Sequence, residues 1–130
     1  MTTIFTKIIR GDIPSHKVLE NDDFFAFMDI RPINRGHVLV VPKVEVDRFF
    51  DLSDKMLSDV LVFAKPIADA LESVVDCERV GIMVAGLEVP HAHLHLIPFN
   101  TGSELAFDKA MPADSEDLAQ LAAQLREKLS

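Results

Sequence analysis

The sequence predicts an α+β fold with five strands, and three observations support this prediction. Short apolar runs bounded by turn residues are typical of strands, and five such runs occur along the chain. A long stretch with helical spacing separates the third run from the fourth, and another helical stretch ends the chain. Strands followed by a crossover helix and then by more strands indicate the α+β class.

The N-terminal part is predicted to form a short helix and three strands. The helix covers Ile4 to Arg10 and ends at Gly11, because Pro14 blocks its continuation. The three apolar runs that follow are His16 to Glu20, Phe24 to Ile30 and His37 to Pro42. Turn residues separate them, at 21–23 and at 31–36, and this arrangement favours an antiparallel meander.

The remaining part is predicted to contain two helices and two strands. Ser53 can cap a helix in which apolar residues repeat at helical spacing as far as Leu71. Pro66 falls inside this pattern and is expected to bend or divide the helix, because it lacks an amide hydrogen and its ring crowds the preceding turn. The other elements are two strands and a C-terminal helix: Val80 to Val84, His91 to Pro98, and Ser115 to Leu129.

Length and composition indicate one domain, residues 1–130, in a reducing compartment. A chain of 130 residues that is 48% apolar can bury a core without disulfides or a structural metal. Its single cysteine, Cys77, cannot form an internal disulfide, and the N-terminus does not resemble a secretory signal, so we expect a cytoplasmic location. No apolar run is long enough to cross a membrane.

The net charge of −8 excludes one class of partner. No block of lysines or arginines offsets this charge, so a long nucleic acid would be repelled by the protein. A phosphate-handling protein with this charge needs a local site. A small nucleotide fits that requirement better than a duplex does.

Histidines alternate with apolar residues in the run His91-Ala92-His93-Leu94-His95. On a strand, this alternation places the three imidazoles on one face and the apolar side chains on the other. One metal ion is not expected to bind all three rings, because residues four apart on a strand are separated by roughly 13 Å. Two of the rings, with further ligands from elsewhere in the chain, would still suffice for zinc, which keeps metal binding as an alternative.

Nucleophilic catalysis at phosphorus is the interpretation that this pattern favours. A neutral imidazole nitrogen can attack a phosphate and form a phospho-histidine that water then opens. Its other nitrogen must carry the proton and be held by an acceptor, and neighbouring imidazoles can donate to the phosphate oxygens. His93 lies between the other two histidines and is the predicted nucleophile. A further alternative, polar residues on a solvent-facing strand, explains the strict alternation poorly.

The histidine run and three other segments resemble the histidine triad (HIT) superfamily of nucleotide hydrolases and transferases. The resemblance extends over nearly the whole chain, and the other segments occur in the family's order: Ile8–Pro14, Phe25–Ile30 and Gly36–Lys43. The resemblance implies a five-stranded antiparallel sheet and a homodimer formed through the sheet and the long helix. It also implies attack on the α-phosphate of a nucleoside phosphoramidate or dinucleoside polyphosphate, without a cofactor or a catalytic metal.

The resemblance also assigns roles to individual residues. It makes His93 the nucleophile, His95 a phosphate contact, and His91 a residue that helps to fix the tautomer of His93. His37 would face the triad as a supporting residue, and Asp29 would hold the ribose hydroxyls. Without the resemblance, Asp29 would be assigned to a turn. The base pocket would be lined by apolar residues that are otherwise typical of a core: Phe5, Ile8, Ile13, Phe27 and Ile30.

The sequence departs from the family pattern at two places. Many members hold a structural zinc with a cysteine pair, a later histidine and the first triad histidine, whereas the first three positions here are Thr3, Thr6 and Glu45, so we expect no zinc. Before the triad the family commonly has Gln-Ser or Gln-Thr, but this chain has Leu87 and Glu88. A carboxylate at Glu88 would disfavour polyphosphate leaving groups and favour an amine, unless it points to solvent.

Together these observations predict a cytoplasmic, homodimeric hydrolase of purine nucleoside 5′-phosphoramidates that acts through a nucleotidyl-histidine intermediate. Hydrolysis of dinucleoside polyphosphates is the enzymatic alternative. A nucleotide-binding module with little turnover, which would regulate a partner, is the alternative from another class. The loss of Gln and of Ser or Thr before the triad supports that alternative.

Overall fold

A computed structural model describes residues 2–130, which form a five-stranded sheet with two long helices on one face and a short helix on the other. The elements in chain order are α1 (Ile4–Arg10), β1 (Lys17–Glu20), β2 (Phe24–Met28), β3 (Val38–Pro42), α2 (Asp54–Val74), β4 (Arg79–Met83), β5 (Leu94–Phe99) and α3 (Ser115–Leu129). Single-turn 3-10 helices lie in the connections at Phe49–Asp51, Gly102–Glu104 and Phe107–Lys109.

All neighbouring strands of the sheet are antiparallel, and their order is β1-β2-β3-β5-β4. The crossover through α2 carries the chain past the position of β5 to the edge strand β4. The following loop then returns β5 between β3 and β4. The predicted α+β class with a five-stranded antiparallel sheet is therefore confirmed.

The helix ends follow the capping residues that the sequence predicts. Gly11 ends α1 with φ +84°, a left-handed conformation that glycine adopts without steric strain. Ser53 caps α2 by accepting a hydrogen bond from the Met56 amide. Pro66, however, does not divide α2, which is continuous over 21 residues. Pro66 is exposed, so water can reach the backbone carbonyl that it leaves unbonded, while the buried face of α2 packs on the core on both sides of it.

Two hydrophobic clusters lie on opposite faces of the sheet. The larger one fills the space between the sheet and the helices α2 and α3, where Ile67, Leu71 and Leu125 are fully buried. The smaller cluster lies on the other face, under α1, and consists of Phe5, Phe25, Phe27, Leu39 and Val41. Because side chains alternate along a strand, the odd-numbered residues of β2 and β3 face the smaller cluster.

The histidine run differs from its prediction in where the strand begins. Regular pairing in β5 starts at Leu94, so His91 and His93 precede the strand and only His95 lies within it. The preceding chain is held by two other bonds: the Ala92 amide donates to the Val46 carbonyl, and the His91 amide donates to the Val89 carbonyl. The second of these bonds bends the chain locally and so interrupts regular pairing.

No helix within residues 2–130 combines the length and the apolar character that a membrane span requires.

Gly36 and Gly11 form a matched pair for testing the packing around β3, because both have positive φ, +94° and +84°. A Cβ at Gly36 would lie 2.9 Å from Val75 Cγ2, whereas a Cβ at Gly11 would meet no atom within 4 Å. Substitution by alanine should cost about 1–2 kcal/mol of backbone strain at either site. At Gly36 we expect a further loss of about 1–3 kcal/mol from overpacking. Urea unfolding measures both losses, and equal values for Gly36→Ala and Gly11→Ala would contradict the packing argument.

Candidate active site

Four of the five histidines are buried, and they lie at the sheet face opposite α2 and α3. The exposed fractions are 1% for His37, 0% for His91, 6% for His93 and 7% for His95. The interpretation of the run as polar residues on a solvent-facing strand is therefore wrong. His16, the remaining histidine, is half-buried in the connection before β1.

Asp29, His37 and His95 are brought together by strand register. Leu39 of β3 pairs with His95 of β5, and the Asp29 amide donates to the His37 carbonyl at 3.0 Å. His37 Nε2 consequently lies 2.8 Å from His95 Nδ1 and 3.5 Å from Asp29 Oδ2. Asp29 directly follows β2, His37 directly precedes β3 and His95 lies in β5, so three adjacent strands bring these polar side chains to the same face.

The backbone fixes the protons of the His37–His95 pair. The Ile33 amide donates to His37 Nδ1 at 3.0 Å, so this nitrogen carries no proton. In the neutral ring the proton is then on His37 Nε2, which donates to His95 Nδ1. His95 in turn carries its own proton on Nε2. The pair therefore ends in an N–H donor on His95.

The proton of His93 is on the opposite ring nitrogen from that of His95. Its Nδ1 lies 2.8 Å from the carbonyl oxygen of His91, which can only accept a hydrogen bond, so Nδ1 carries the proton. The neutral ring then has its lone pair on Nε2. A protonated Nδ1 held by an acceptor, with a free Nε2, is the arrangement that an imidazole nucleophile needs.

The Nε2 atoms of His93 and His95 are both accessible from a cleft. Every fully buried side-chain nitrogen or oxygen within residues 2–130 has a hydrogen-bond partner. The Nε2 atoms of His93 and His95 have no hydrogen-bond partner within residues 2–130, so neither atom is fully buried. The two rings, 4.9 Å apart between centroids, line a cleft of about 120 Å³ together with Leu87, Glu88 and Phe107. A lone pair and an N–H donor thus lie side by side at the same cleft.

Burial keeps His37, His93 and His95 neutral at physiological pH. It lowers the pKa of His37 to about 4, and burial together with the neighbouring His37 and His93 lowers the pKa of His95 to about 3. The pKa of His93 is also lowered, mainly by burial. Burial has the opposite effect on the carboxyl group of Asp29, whose pKa it raises, with a further contribution from the charge of Glu88.

The imidazole of His91 points away from the cleft. Its Nε2 lies 2.7 Å from the Pro42 carbonyl oxygen, and its Nδ1 lies 2.7 Å from Thr3 Oγ1. The group that holds the proton of His93 is thus the main-chain carbonyl of His91. The three imidazoles lie on the sheet face that carries Phe5, as expected, but the His91 ring does not line the cleft with the other two. The physical reason is that regular strand geometry begins only at Leu94.

The residues assigned to the base pocket are only partly gathered. Phe5 and Phe27 are buried in the smaller cluster with their centroids 5.8 Å apart, and Ile8 packs against them. The Phe5 ring also lies 5.0 Å from the His93 ring. Ile13 and Ile30 are outside this cluster, and Ile30 is 67% exposed.

Asp29 forms the turn that its position in the sequence predicts. Its Oδ1 accepts a hydrogen bond of 2.9 Å from the Arg31 amide. Its Oδ2 lies near His37 and is not in that turn hydrogen bond. The side chain is 18% exposed, so one oxygen remains available to a ligand.

Sequence reasoning missed Phe107. It lies in the 3-10 helix after β5, and its ring centroid is 4.9 Å from that of His95. Two backbone hydrogen bonds hold the segment over the site, from the Met111 amide to the Pro32 carbonyl and from the Ala113 amide to the Ile30 carbonyl. Because these contacts join segments far apart in the chain, no local pattern could have indicated them.

One cluster in the site has the composition of a metal site but not the protonation. Ligand atoms of Asp29, His37 and His95 lie within 4.8 Å of one another. A metal on His37 Nε2 would require its proton to move to Nδ1, where it would face the Ile33 N–H. That arrangement places two donors against each other, so these residues do not fit a metal ion.

The positions of the family's structural zinc do converge, but on hydrogen bonds. Glu45 Oε1 accepts from the Thr3 amide at 2.9 Å and from the Thr6 hydroxyl at 2.5 Å, while the Thr3 hydroxyl contacts His91. Hydroxyl groups are not among the usual protein ligands of zinc, and His91 Nε2 is engaged with a carbonyl oxygen. These four residues therefore do not fit a zinc ion.

Comparison with known proteins agrees with the fold. The HIT domain family model matches residues 10–102. The chain belongs to the HIT family. This HIT protein is 36% identical over 131 aligned residues to an adenosine 5′-monophosphoramidase of Saccharomyces cerevisiae, covering 91% of this chain and 82% of that protein.

Solved structures of the family are also similar. A Hit-like protein from Bartonella henselae has a TM-score of 0.86 and 34% identity, with 98% of this chain and 96% of that chain covered. A Zn-bound histidine triad family protein from Mycobacterium smegmatis has a TM-score of 0.84 and 28% identity, with coverage of 99% and 94%. The fold of this HIT protein is therefore the fold of its family.

The buried histidines predict how stability depends on pH. The pKa values of His37, His93 and His95 are lower in the folded state than the unperturbed 6.5, so the unfolded chain binds more protons between pH 6.5 and about 4. The free energy of unfolding should therefore fall as the pH falls through this window, by up to about 1.4 kcal/mol per pH unit for each histidine. The raised pKa of Asp29 acts in the opposite direction.

Urea unfolding at several pH values between 7 and 4 measures this dependence. His95→Gln removes one of the titrating rings and should show a shallower loss of stability with falling pH. An identical pH dependence in the variant and the wild type would contradict the assignment.

Proposed function

We propose that this HIT protein is a nucleotide hydrolase that cleaves purine nucleoside 5′-phosphoramidates at the α-phosphate. The observation that carries the proposal is the state of His93, a neutral ring with its proton held by a carbonyl oxygen and a free Nε2 at a cleft. The similarity to yeast proteins named adenosine 5′-monophosphoramidase supports this substrate class.

The proposed reaction has two steps. His93 Nε2 attacks the α-phosphorus, the bond from phosphorus to the leaving nitrogen breaks, and this nitrogen takes a proton from solvent water and departs as the amine. His95 Nε2–H donates to a phosphate oxygen as negative charge develops there. Water then attacks the nucleotidyl-histidine, releases the nucleoside monophosphate and restores His93. His37 supports these steps by holding the proton of His95 on Nε2.

The nucleotide is proposed to bind on the side of the smaller hydrophobic cluster. Asp29 Oδ2 would accept from the ribose hydroxyls, since its Oδ1 is already engaged with Arg31. Phe5, Ile8 and Phe27 would contact the base through the same cluster that packs against the His93 ring. Ile13 and Ile30 would lie at the outer edge of this pocket. The edge-to-face contact between the Phe5 and His93 rings would thereby link nucleotide binding to the nucleophile.

Release of AMP from adenosine 5′-phosphoramidate tests the proposal. His93→Ala should lower turnover by a factor on the order of 10³ or more, because the covalent route is lost. AMP should still bind to this variant, as calorimetry can show. His16→Ala removes a histidine that lies outside the site and is the matched control, with turnover unchanged.

The same assay distinguishes the alternatives. Faster release of AMP from a diadenosine polyphosphate than from the amidate would favour the polyphosphate hydrolase. AMP binding by the wild type without release from either substrate would contradict the hydrolase and support the binding module.

Glu88 is proposed to bias the enzyme toward amine leaving groups. It lines the cleft with His93. Its charge adds to the raised pKa of Asp29, which is caused mainly by burial, and opposes the lowering of the His93 pKa by burial. A carboxylate there repels additional phosphates and can attract a protonatable amine. We expect Glu88→Ser to lower the ratio of amidate to polyphosphate turnover by several-fold. An unchanged ratio would show that the carboxylate only faces solvent.

We also propose that residues 1–130 fold as one domain and that two copies form a homodimer. The larger cluster takes residues from β1 through α3, which supports a single core.

Strand β4 is an edge strand with Ile82 52% exposed, and α2 exposes Leu61 and Val62 to 52% and 72%. An edge strand beside apolar helix residues is suited to pairing with a second copy. Sedimentation should give twice the chain mass of 14.5 kDa, and a mass of one chain would contradict the dimer. A cytoplasmic location and the absence of nucleic-acid partners stay predictions.

A further inference from the structure

A chain of hydrogen bonds connects the first turn of α1 to the His93 nucleophile. Glu45, in the loop after β3, accepts from the Thr3 amide and from the Thr6 hydroxyl. Thr3 Oγ1 accepts from the Thr6 amide at 3.1 Å and lies 2.7 Å from His91 Nδ1. The other nitrogen of this ring faces the Pro42 carbonyl at 2.7 Å. Both nitrogens of a fully buried imidazole are thus occupied.

The direction of each bond follows from the groups at its ends. The Pro42 carbonyl can only accept, so His91 Nε2 carries the proton of the neutral ring. His91 Nδ1 is then an acceptor, and the Thr3 hydroxyl donates to it. The Thr6 hydroxyl donates to Glu45, because a carboxylate at neutral pH can only accept. Thr3 Oγ1 also lies 3.3 Å from Thr6 Oγ1, but its single proton is directed to the shorter contact with His91. Thr3 thus donates in two directions, from its amide to Glu45 and from its hydroxyl to His91.

The main chain of the same His91 holds the nucleophile. Its carbonyl oxygen accepts the proton of His93 Nδ1 at 2.8 Å and thereby leaves the lone pair on Nε2. This carbonyl is outside the regular β5 ladder, which starts at Leu94. Its orientation depends on two flanking backbone bonds, at the His91 and Ala92 amides, and on the anchored His91 ring.

We infer that Thr3 and Glu45 are positioning residues for the nucleophile, because they lock the His91 ring and through it the carbonyl that selects the tautomer of His93. Neither residue lines the cleft that His93 shares with His95. Their effect is on the proton of His93 and on the rate of attack. The kinetic consequence rests on the proposed hydrolase function, whereas the tautomer does not.

The side-chain ¹⁵N spectrum of histidine-labelled protein reports the tautomer directly, without substrate. In the wild type we expect His93 in one form, with its proton on Nδ1. In Thr3→Val the donor to His91 is lost, and both tautomers of His93 should be populated, as in a free imidazole. Thr3→Ser keeps the hydroxyl and should retain the wild-type spectrum.

Two further variants separate this role from helix capping. Thr3 also caps α1, so Thr3→Val removes a cap as well as a donor. Ser53→Ala removes the corresponding cap of α2 away from the site and should leave the His93 tautomer unchanged. Glu45→Ala leaves the Thr3 cap in place but removes the acceptor of two bonds, and it should shift the tautomer in the same direction as Thr3→Val.

Kinetics on the amidate substrate provide the second readout. Loss of one hydrogen bond that positions the nucleophile should lower kcat about fivefold to tenfold in Thr3→Val and Glu45→Ala, with KM within about twofold. Thr3→Ser should restore kcat. If KM rose at constant kcat, the network would serve the nucleotide pocket near Phe5 and the inference would be wrong.

The tautomer separates failure of this inference from failure of the proposed function. An unchanged His93 tautomer in both folded variants would show that backbone bonds alone hold the His91 carbonyl, which would overturn the inference whatever the substrate is. A shifted tautomer in a protein that does not turn over the amidate would support the positioning role and contradict only the function. If Thr3→Val failed to fold, Glu45→Ala, which alters an exposed side chain, would decide.

Discussion

Two backbone groups determine where the protons of the site are. The Ile33 amide donates to His37 Nδ1, and the His91 carbonyl accepts from His93 Nδ1. The first leads, through His37, to an N–H on His95, and the second leaves a lone pair on His93. A backbone amide is always a donor and a carbonyl always an acceptor, so this polarity does not change with pH as a side-chain partner's would. The contrast between a lone pair and a donor at one cleft depends on these two groups.

Burial completes what the backbone begins. The sheet has a cluster on each face, so histidines on its second face lie in a medium that disfavours the imidazolium form. Neutral rings can then share hydrogen bonds without mutual repulsion, and Asp29 near His37 is itself shifted toward its neutral form by burial. The hydrophobic core therefore serves the site as well as the fold, since the same packing that stabilises the sheet keeps the His93 ring neutral.

The spacing of apolar residues and the helix-capping residues predicted most of the fold, because they are local properties of the chain. Gly11 and Ser53 each gave a correct helix boundary, and the apolar run before Pro42 gave the strand β3. Errors arose where distant segments decide. The direction of the His91 ring depends on Thr3, which is 88 residues away in sequence.

Phe107 and Pro66 are two further residues whose structure depends on distant parts of the chain. Phe107 reaches His95 only because backbone bonds to Ile30 and Pro32 hold its segment over the site. Pro66 stays inside a helix because tertiary packing on either side of it outweighs its local penalty. The candidate site could thus be located from the sequence, but the roles of carbonyl, amide and overlying aromatic could not.

The charge of the cleft, which follows from the same contacts, bears on the substrate. The described residues that line it include His93, His95 and Glu88 but no lysine or arginine. The proposed anionic substrate would therefore meet one neutral N–H donor, on His95, next to the Glu88 carboxylate. Each additional phosphate held in this cleft would add repulsion that no cation of its lining offsets. In the proposed reaction an amidate would place one phosphate at this cleft, which is the charge that such a site tolerates best.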